Sequence, residues 1–200
     1  MGNAVVTGAH GVQYRPDNAG SSSTDSGGFL HVFNTKSIWS SVRDGTAIPP
    51  NASARQNAVT MWQLDKKGTS PERVQAAQLG IKRLRTLRHP GILKYLDSID
   101  TQDQLILITE KAYPVHAWLR EAKHANVMPQ EELQTSVVWG LYCVTKTLAW
   151  LHEDCKMVHG NLSSDAVFVT EVREMSILPA ILLFLLSESD ALFSLGDAER

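Results

Sequence analysis

The stretch Val158-His159-Gly160-Asn161-Leu162-Ser163-Ser164-Asp165 puts an imidazole, an amide and a carboxylate within a few residues of one another. A histidine is the usual proton carrier near neutral pH, so His159 invites a catalytic reading. Asn161 weakens it, because an amide cannot accept a proton at neutral pH. Asp165 could serve a metal, but alone it reads as a solvated loop carboxylate. His152 and Cys155 stand three apart, yet a zinc site needs further ligands and none is in sight. Cys143 lies among Leu141, Val144 and Leu148 and reads as a buried, inert thiol. Lys82, Arg83, Arg85 and Arg88 form the one basic cluster singled out, and a nucleic-acid site would want such charges. Without an aromatic platform they read as a solvated helix face.

The whole-chain balance agrees. Among 200 residues, 19 basic and 21 acidic side chains leave a net charge of −2. That removes the electrostatic reason to expect strong binding to nucleic acid or anionic membrane, and no direct DNA binding is expected. The 43% of hydrophobic residues suffices for a folded core and excludes a disordered chain. Cys143 and Cys155 are the only cysteines, so no disulfide framework is implied and free thiols in a reducing cytosol are expected.

The first residues carry neither a basic stretch nor an apolar core, so no secretory signal is expected. Met1-Gly2-Asn3-Ala4-Val5-Val6-Thr7 approaches an N-myristoylation pattern at Gly2, with Val6 at the usual hydroxyl position and Thr7 one residue late. One such chain would give only weak, reversible membrane attachment. Residues 177–186, ILPAILLFLL, are strongly apolar but too short to span a bilayer, which takes about twenty residues.

The elements that would hold these residues follow from pattern. Residues 17–28, DNAGSSSTDSGG, read as a mobile linker. Residues 29–33 and 37–42 read as strands, 48–57 as a loop, and 58–64 as a strand, AVTMWQL. Val74, Ala77, Ile81 and Leu84 recur at helical spacing, with Ser70 and Pro71 to start the helix and Pro90 to stop it. Strands at 92–98 and 105–109 (LILIT) and a short helix at 115–124 come next. A long helix opens at Pro129, with Leu133, Val137, Leu141, Val144, Leu148 and Leu151 as its stripe. Residues 157–158 and 167–169 read as a small hairpin.

Three segments in this order resemble a protein kinase. Leu84-Arg85-Thr86-Leu87-Arg88-His89-Pro90-Gly91-Ile92 is similar to the passage from helix C into the fourth kinase strand. Leu107-Ile108-Thr109-Glu110 looks like the fifth strand entering the hinge, with Thr109 at the gatekeeper position and Glu110 and Ala112 in the hinge. Leu148-Ala149-Trp150-Leu151-His152, followed by the His159 stretch through Val169, resembles the end of the long C-lobe helix and the catalytic loop. The resemblance implies an α+β, protein-kinase-like fold. Its parts are a flexible segment at 1–28, an N-lobe sheet with helix C at 29–109, a partial helical C-lobe at 110–170, and a divergent apolar tail at 171–200. His159 would then be a buried structural residue.

Phosphoryl transfer needs a lysine on the phosphates, a glutamate to hold it, an aspartate at the acceptor hydroxyl and metal ligands. By the same resemblance the lysine position holds Trp62, with Lys66 and Lys67 past the strand. The glutamate position falls near Gly80, the catalytic aspartate is Asn161, the loop lysine is Ser163 and the metal asparagine is Ala166. No Asp-Phe-Gly follows, Leu195-Gly196-Asp197 being only a faint echo, and no glycine-rich loop precedes residue 58. Trp62 would fill the nucleotide pocket, or be an ordinary core aromatic, and the two readings are compatible.

This pattern of loss resembles the Scy-like pseudokinases, or N-terminal kinase-like proteins, over about residues 29–170. The resemblance implies no catalysis, no nucleotide or metal cofactor, and a cytoplasmic, Golgi-associated scaffold. Its partners would be coat or trafficking proteins in Golgi–endoplasmic reticulum traffic, or it would act in tRNA export. An atypical kinase that binds ATP, and a truncated product without independent function, stand as the alternatives. The long helix would lack the cover of further C-lobe helices, with residues 177–186 available to supply part of it.

Overall fold

A strand with consecutive apolar residues needs a core on each face, and residues 105–108 have both. The computed structural model describes residues 5–17, 39–50, 56–124, 129–159, 162, 166–170 and 180–183. The first sheet contains β1 (Val6–Thr7), β2 (Gln13–Pro16), β3 (Ser41–Ile48), β4 (Asn57–Asp65), β5 (Tyr95–Asp100) and β6 (Gln104–Glu110). It is antiparallel throughout, in the order β1-β2-β3-β4-β6-β5. Successive side chains on a strand point to opposite faces. Leu105 and Leu107 of β6 therefore join one buried cluster, with Trp62 and Leu64 of β4. Ile106 and Ile108 join the other, with Val59 and Met61.

The first cluster is covered by α1 (Pro71–Thr86), through Ala77, Ile81 and Leu84 as the spacing predicts. Ser70 stands at the N-cap in an extended conformation, but its hydroxyl makes no capping hydrogen bond there. The second cluster is closed from the N-terminal side, where Tyr14, Val6 and Val12 pack over β4 and β6. Asp97 of β5 ties this closure. Its carboxylate accepts hydrogen bonds from the Tyr14 hydroxyl at 3.3 Å and the Ala9 amide at 3.2 Å. A Cβ on Gly8 would lie 1.9 Å from that carboxylate, so the approach requires glycine. β2 and β5 are not neighbours in the sheet, so this contact shows that it curls.

Burial first, and then the Asp97 carboxylate, push the Tyr14 hydroxyl up to about 12. A raised folded-state pKa means that the contribution to stability is whole below the unfolded tyrosine value, about 10, and is lost as pH rises through the folded one. The chain is expected to lose stability between about pH 10 and 12, and Tyr14→Phe to flatten that loss. Tyrosinate absorbance followed alongside thermal unfolding checks it.

Several expectations are corrected. The sheet begins at Val6, inside the segment expected to be flexible. Its first strands are too short to show an alternating pattern. The strand expected at 37–42 is Ser41–Ile48, and Ile48 and Asn57 are strand ends rather than loop. The strand expected at 92–98 is Tyr95–Asp100. Residues 29–33 lie outside the described residues.

The second sheet is β7 (Ala112–Pro114), β8 (Val167–Thr170) and β9 (Ala180–Leu183), antiparallel in that order. β8 thus pairs with the chain just past Glu110 and with the apolar tail, and residues 157–158 form no hairpin with it. Two helices complete the described fold, α2 (Val115–His124) and α3 (Gln130–Glu153). The buried line of α3 is Leu133, Ser136, Gly140, Val144, Thr147 and Leu151. Leu141, expected in the stripe, is 62% exposed, because one residue past Gly140 turns it about 100° away. Small and polar residues serve on the buried line where the chain comes close: a Cβ on Gly91 would lie 1.8 Å from Thr147 Oγ1. β9 packs on α3, so part of the tail does cover the long helix, as a strand.

Candidate functional site

Trp62 stands on β4 opposite Leu107 of β6, and its side chain is 1% exposed. The indole Nε1–H donates to Thr109 Oγ1 at 2.9 Å. Thr109 passes its own proton to the Glu110 carbonyl at 3.0 Å. The ring meets Phe168 of β8 edge-on, with centroids 5.2 Å apart at 88°, and Trp39 in a tilted contact at 6.4 Å. Edge-to-face pairs of this kind are a favoured aromatic geometry. Ala166, two residues before Phe168, is also buried. Side chains from the expected lysine position, the gatekeeper position and the strand after the catalytic loop therefore meet around one indole.

The segment expected as the hinge is fixed from both sides. Thr60 Oγ1 accepts from the Ala112 amide at 3.1 Å and donates to the Ala112 carbonyl at 3.4 Å. Glu110 receives the Lys94 amide on its carboxylate at 2.8 Å and gives its own amide to the Lys94 carbonyl. Gly80 is buried on α1 and presents no side chain.

The two lysines just past β4 are both engaged in ion pairs. Lys66 is ion-paired with Asp100 and donates to the Thr101 carbonyl at 2.7 Å, while Lys67 pairs with Asp103 at 3.0 Å. The hydrogen bond from Lys66 holds the Asp100 carboxyl below its ordinary range. A cation that sequence reasoning passed over is Lys111, next to Glu110. It pairs with Asp44 of β3 and lies over the Tyr113 ring at 4.9 Å. Only its place in the hinge could have drawn notice to it.

His159 is buried at 4% exposure. Gly2, Asn161, Ser163 and Asp165 lie outside the described residues. So do residues 18–38, most of the connection between β2 and β3. Gly20, Gly27 and Gly28 occur there, without G-x-G-x-x-G spacing. Of the basic cluster, Lys82, Arg85 and Arg88 are exposed, as a solvated face requires. Cys143 and Cys155 are free and partly buried, and burial raises the Cys143 thiol. No group of three or more His, Cys, Asp or Glu among the described residues could hold a metal, and His152 gains no such companions.

No family model matches the chain. Among curated proteins it is 30% identical, over 136 residues and 68% of its length, to the probable inactive serine/threonine-protein kinase scy1 of Dictyostelium discoideum. It is 33% identical over 106 residues, 53% of its length, to the protein kinase domain-containing protein ppk3 of Schizosaccharomyces pombe. The chain belongs to the Scy-like, kinase-like family. A third relative of this Scy-like chain is the mouse protein-associating with the carboxyl-terminal domain of ezrin, 31% identical over 90 residues and 45% of the chain. The matched Scy-like region covers 15%, 15% and 11% of these relatives.

Proposed function

We propose that this chain is a catalytically inactive, protein-kinase-like module whose nucleotide pocket is filled by its own tryptophan, and that it works as a protein-interaction scaffold. The observation that carries the reading is the Trp62 indole. It is buried at the expected lysine position, bonded to Thr109 and packed on Phe168. A pocket built to cradle triphosphate needs cations and amides at its surface. Here that space holds an aromatic core, and the nearby lysines are engaged elsewhere. Gly80 and Ala166 supply no charge, and Asn161 would supply no base.

The name of the Dictyostelium relative, a probable inactive kinase, supports the non-catalytic half of this reading. The name of the mouse relative, which associates with the carboxyl-terminal domain of ezrin, supports a role in protein interaction. By resemblance, the setting is cytoplasmic and Golgi-associated membrane traffic, or tRNA export. No helix among the described residues is long and apolar enough to cross a membrane. Attachment at Gly2, if used, would be weak.

The test is phosphoryl transfer itself. The purified chain, incubated with labelled ATP and magnesium or manganese, is expected to label neither itself nor a general acceptor protein above a heat-denatured control. Transfer that survives in the wild type and disappears in Asn161→Ala would favour an atypical kinase instead.

A further inference from the structure

The side of α3 turned away from its buried line carries Val138, Trp139 and Tyr142 on one face, exposed by 67, 48 and 53%. Trp139 and Tyr142 stack on each other with centroids 5.4 Å apart at 29°. Glu131, Gln134 and Thr135 lie beside these side chains on the same open surface. So many large apolar side chains together on one exposed helix face mark an interaction surface rather than scattered surface residues.

The charges flanking it indicate what it fits. Glu131 is exposed before the apolar patch and Lys146 is exposed after it. Neither forms an ion pair among the described residues. At 1.5 Å per residue, about 22 Å separates them along the helix. A two-fold axis crossing α3 between Val138 and Trp139 sets two such helices antiparallel. Glu131 then lies level with Lys146 of the second copy, and Lys146 with its Glu131. The same register brings Val138 level with Trp139, and Tyr142 with Thr135. A parallel arrangement would set Glu131 against Glu131. Glu132 faces Thr145 in the antiparallel register, and His152 and Glu153 overhang the start of the second helix, so no like charges meet.

We infer that the 200-residue chain self-associates through α3, as an antiparallel, two-fold dimer in which Trp139 and Tyr142 form the centre and the two Glu131–Lys146 pairs set the register. An interface of this kind is self-complementary, each side using the same patch. The apolar centre supplies the affinity, and the exposed ion pairs supply orientation.

The test is sedimentation equilibrium on the full chain and four variants, with circular dichroism to confirm that each stays folded. A reversible dimer is expected for the wild type. Glu131→Lys and Lys146→Glu should each weaken it about tenfold, the order that two symmetric exposed ion pairs supply when attraction becomes repulsion. The combined reversal, Glu131→Lys with Lys146→Glu, should restore it. Trp139→Glu should abolish it. A wild-type monomer would overturn the inference, whether the face is then found open or covered by residues 184–200. So would a dimer indifferent to both single reversals, one not rescued by the double reversal, or open-ended aggregation.

Discussion

Trp62→Ala is expected to cost the chain about 3–5 kcal/mol, the usual range for emptying a buried aromatic site. That compares with about 5–15 kcal/mol for the entire stability of an ordinary domain. The loss is large because Trp62 joins parts that share little else: Trp39, the β4–β6 pair, the hinge at Thr109, and β8 through Phe168. Trp62→Phe keeps most of the ring and loses the N–H, so it should cost less. Thr109→Val removes the acceptor of a buried indole proton and should cost about 1–3 kcal/mol. Trp62→Lys, the substitution that would restore the kinase pattern, places an ammonium against Phe168 and Trp39. It should destabilise the fold without creating activity, since Asn161 remains. Urea unfolding followed by tryptophan fluorescence ranks the series. A Trp62→Ala loss below about 1 kcal/mol would mean that the pocket is not held by this side chain.

Ending the chain at Thr170 should be nearly as damaging. β9 is the outer partner of β8, in register from Val167↔Leu183 to Thr170↔Ala180, and it lies on α3. Its removal frees the backbone groups along one edge of β8, at about 0.5–1.5 kcal/mol for each hydrogen bond lost. It also strips cover from a helix whose other face is already exposed at Val138, Trp139, Leu141 and Tyr142. Residues 1–170 are therefore expected to unfold several degrees lower than residues 1–200 and to aggregate more readily. Amide exchange should rise first in β8 and α3, while β4 and β6 stay protected. A monomeric 1–170 fragment with a cooperative transition above about 55 °C, within the range of ordinary mesophilic domains, would show that β9 adds little.

What could be read from the residues was local. Leu105 to Ile108 is apolar at every position, and the structure gives it a core on each face. Val74 to Leu84 has helical spacing and buries that stripe. Trp62 falls, by resemblance, at the position where a kinase has lysine, counted from strand AVTMWQL and Thr109. Its neighbours could not be seen. Trp39 and Phe168 are remote in sequence, and no periodicity links them. The short strands were illegible for a different reason. Val6–Thr7, Gln13–Pro16 and Ala112–Pro114 are too short for an alternating pattern to mark them in the sequence, and a neighbouring edge offers them hydrogen bonds. Asp97 shows the same limit: nothing in YLDSID marks it as the carboxylate that ties Tyr14 across the curl. For α3 the helix was plain, but the face was drawn from apolar residues alone. The buried line keeps Leu133, Val144 and Leu151 of that stripe but runs also through Ser136, Gly140 and Thr147, where small side chains fit.

The proposal that Trp62 fills the nucleotide pocket is tested most directly by titrating the folded chain with ATP and magnesium, following heat and the Trp62 indole N–H resonance together. No heat of binding and no movement of that resonance are expected up to millimolar nucleotide. On the proposed reading the chain lacks several charge-assisted contacts to phosphate, each worth about 1.5–3 kcal/mol. A dissociation constant below about 100 μM, with the Trp62 resonance shifting as nucleotide binds, would contradict it.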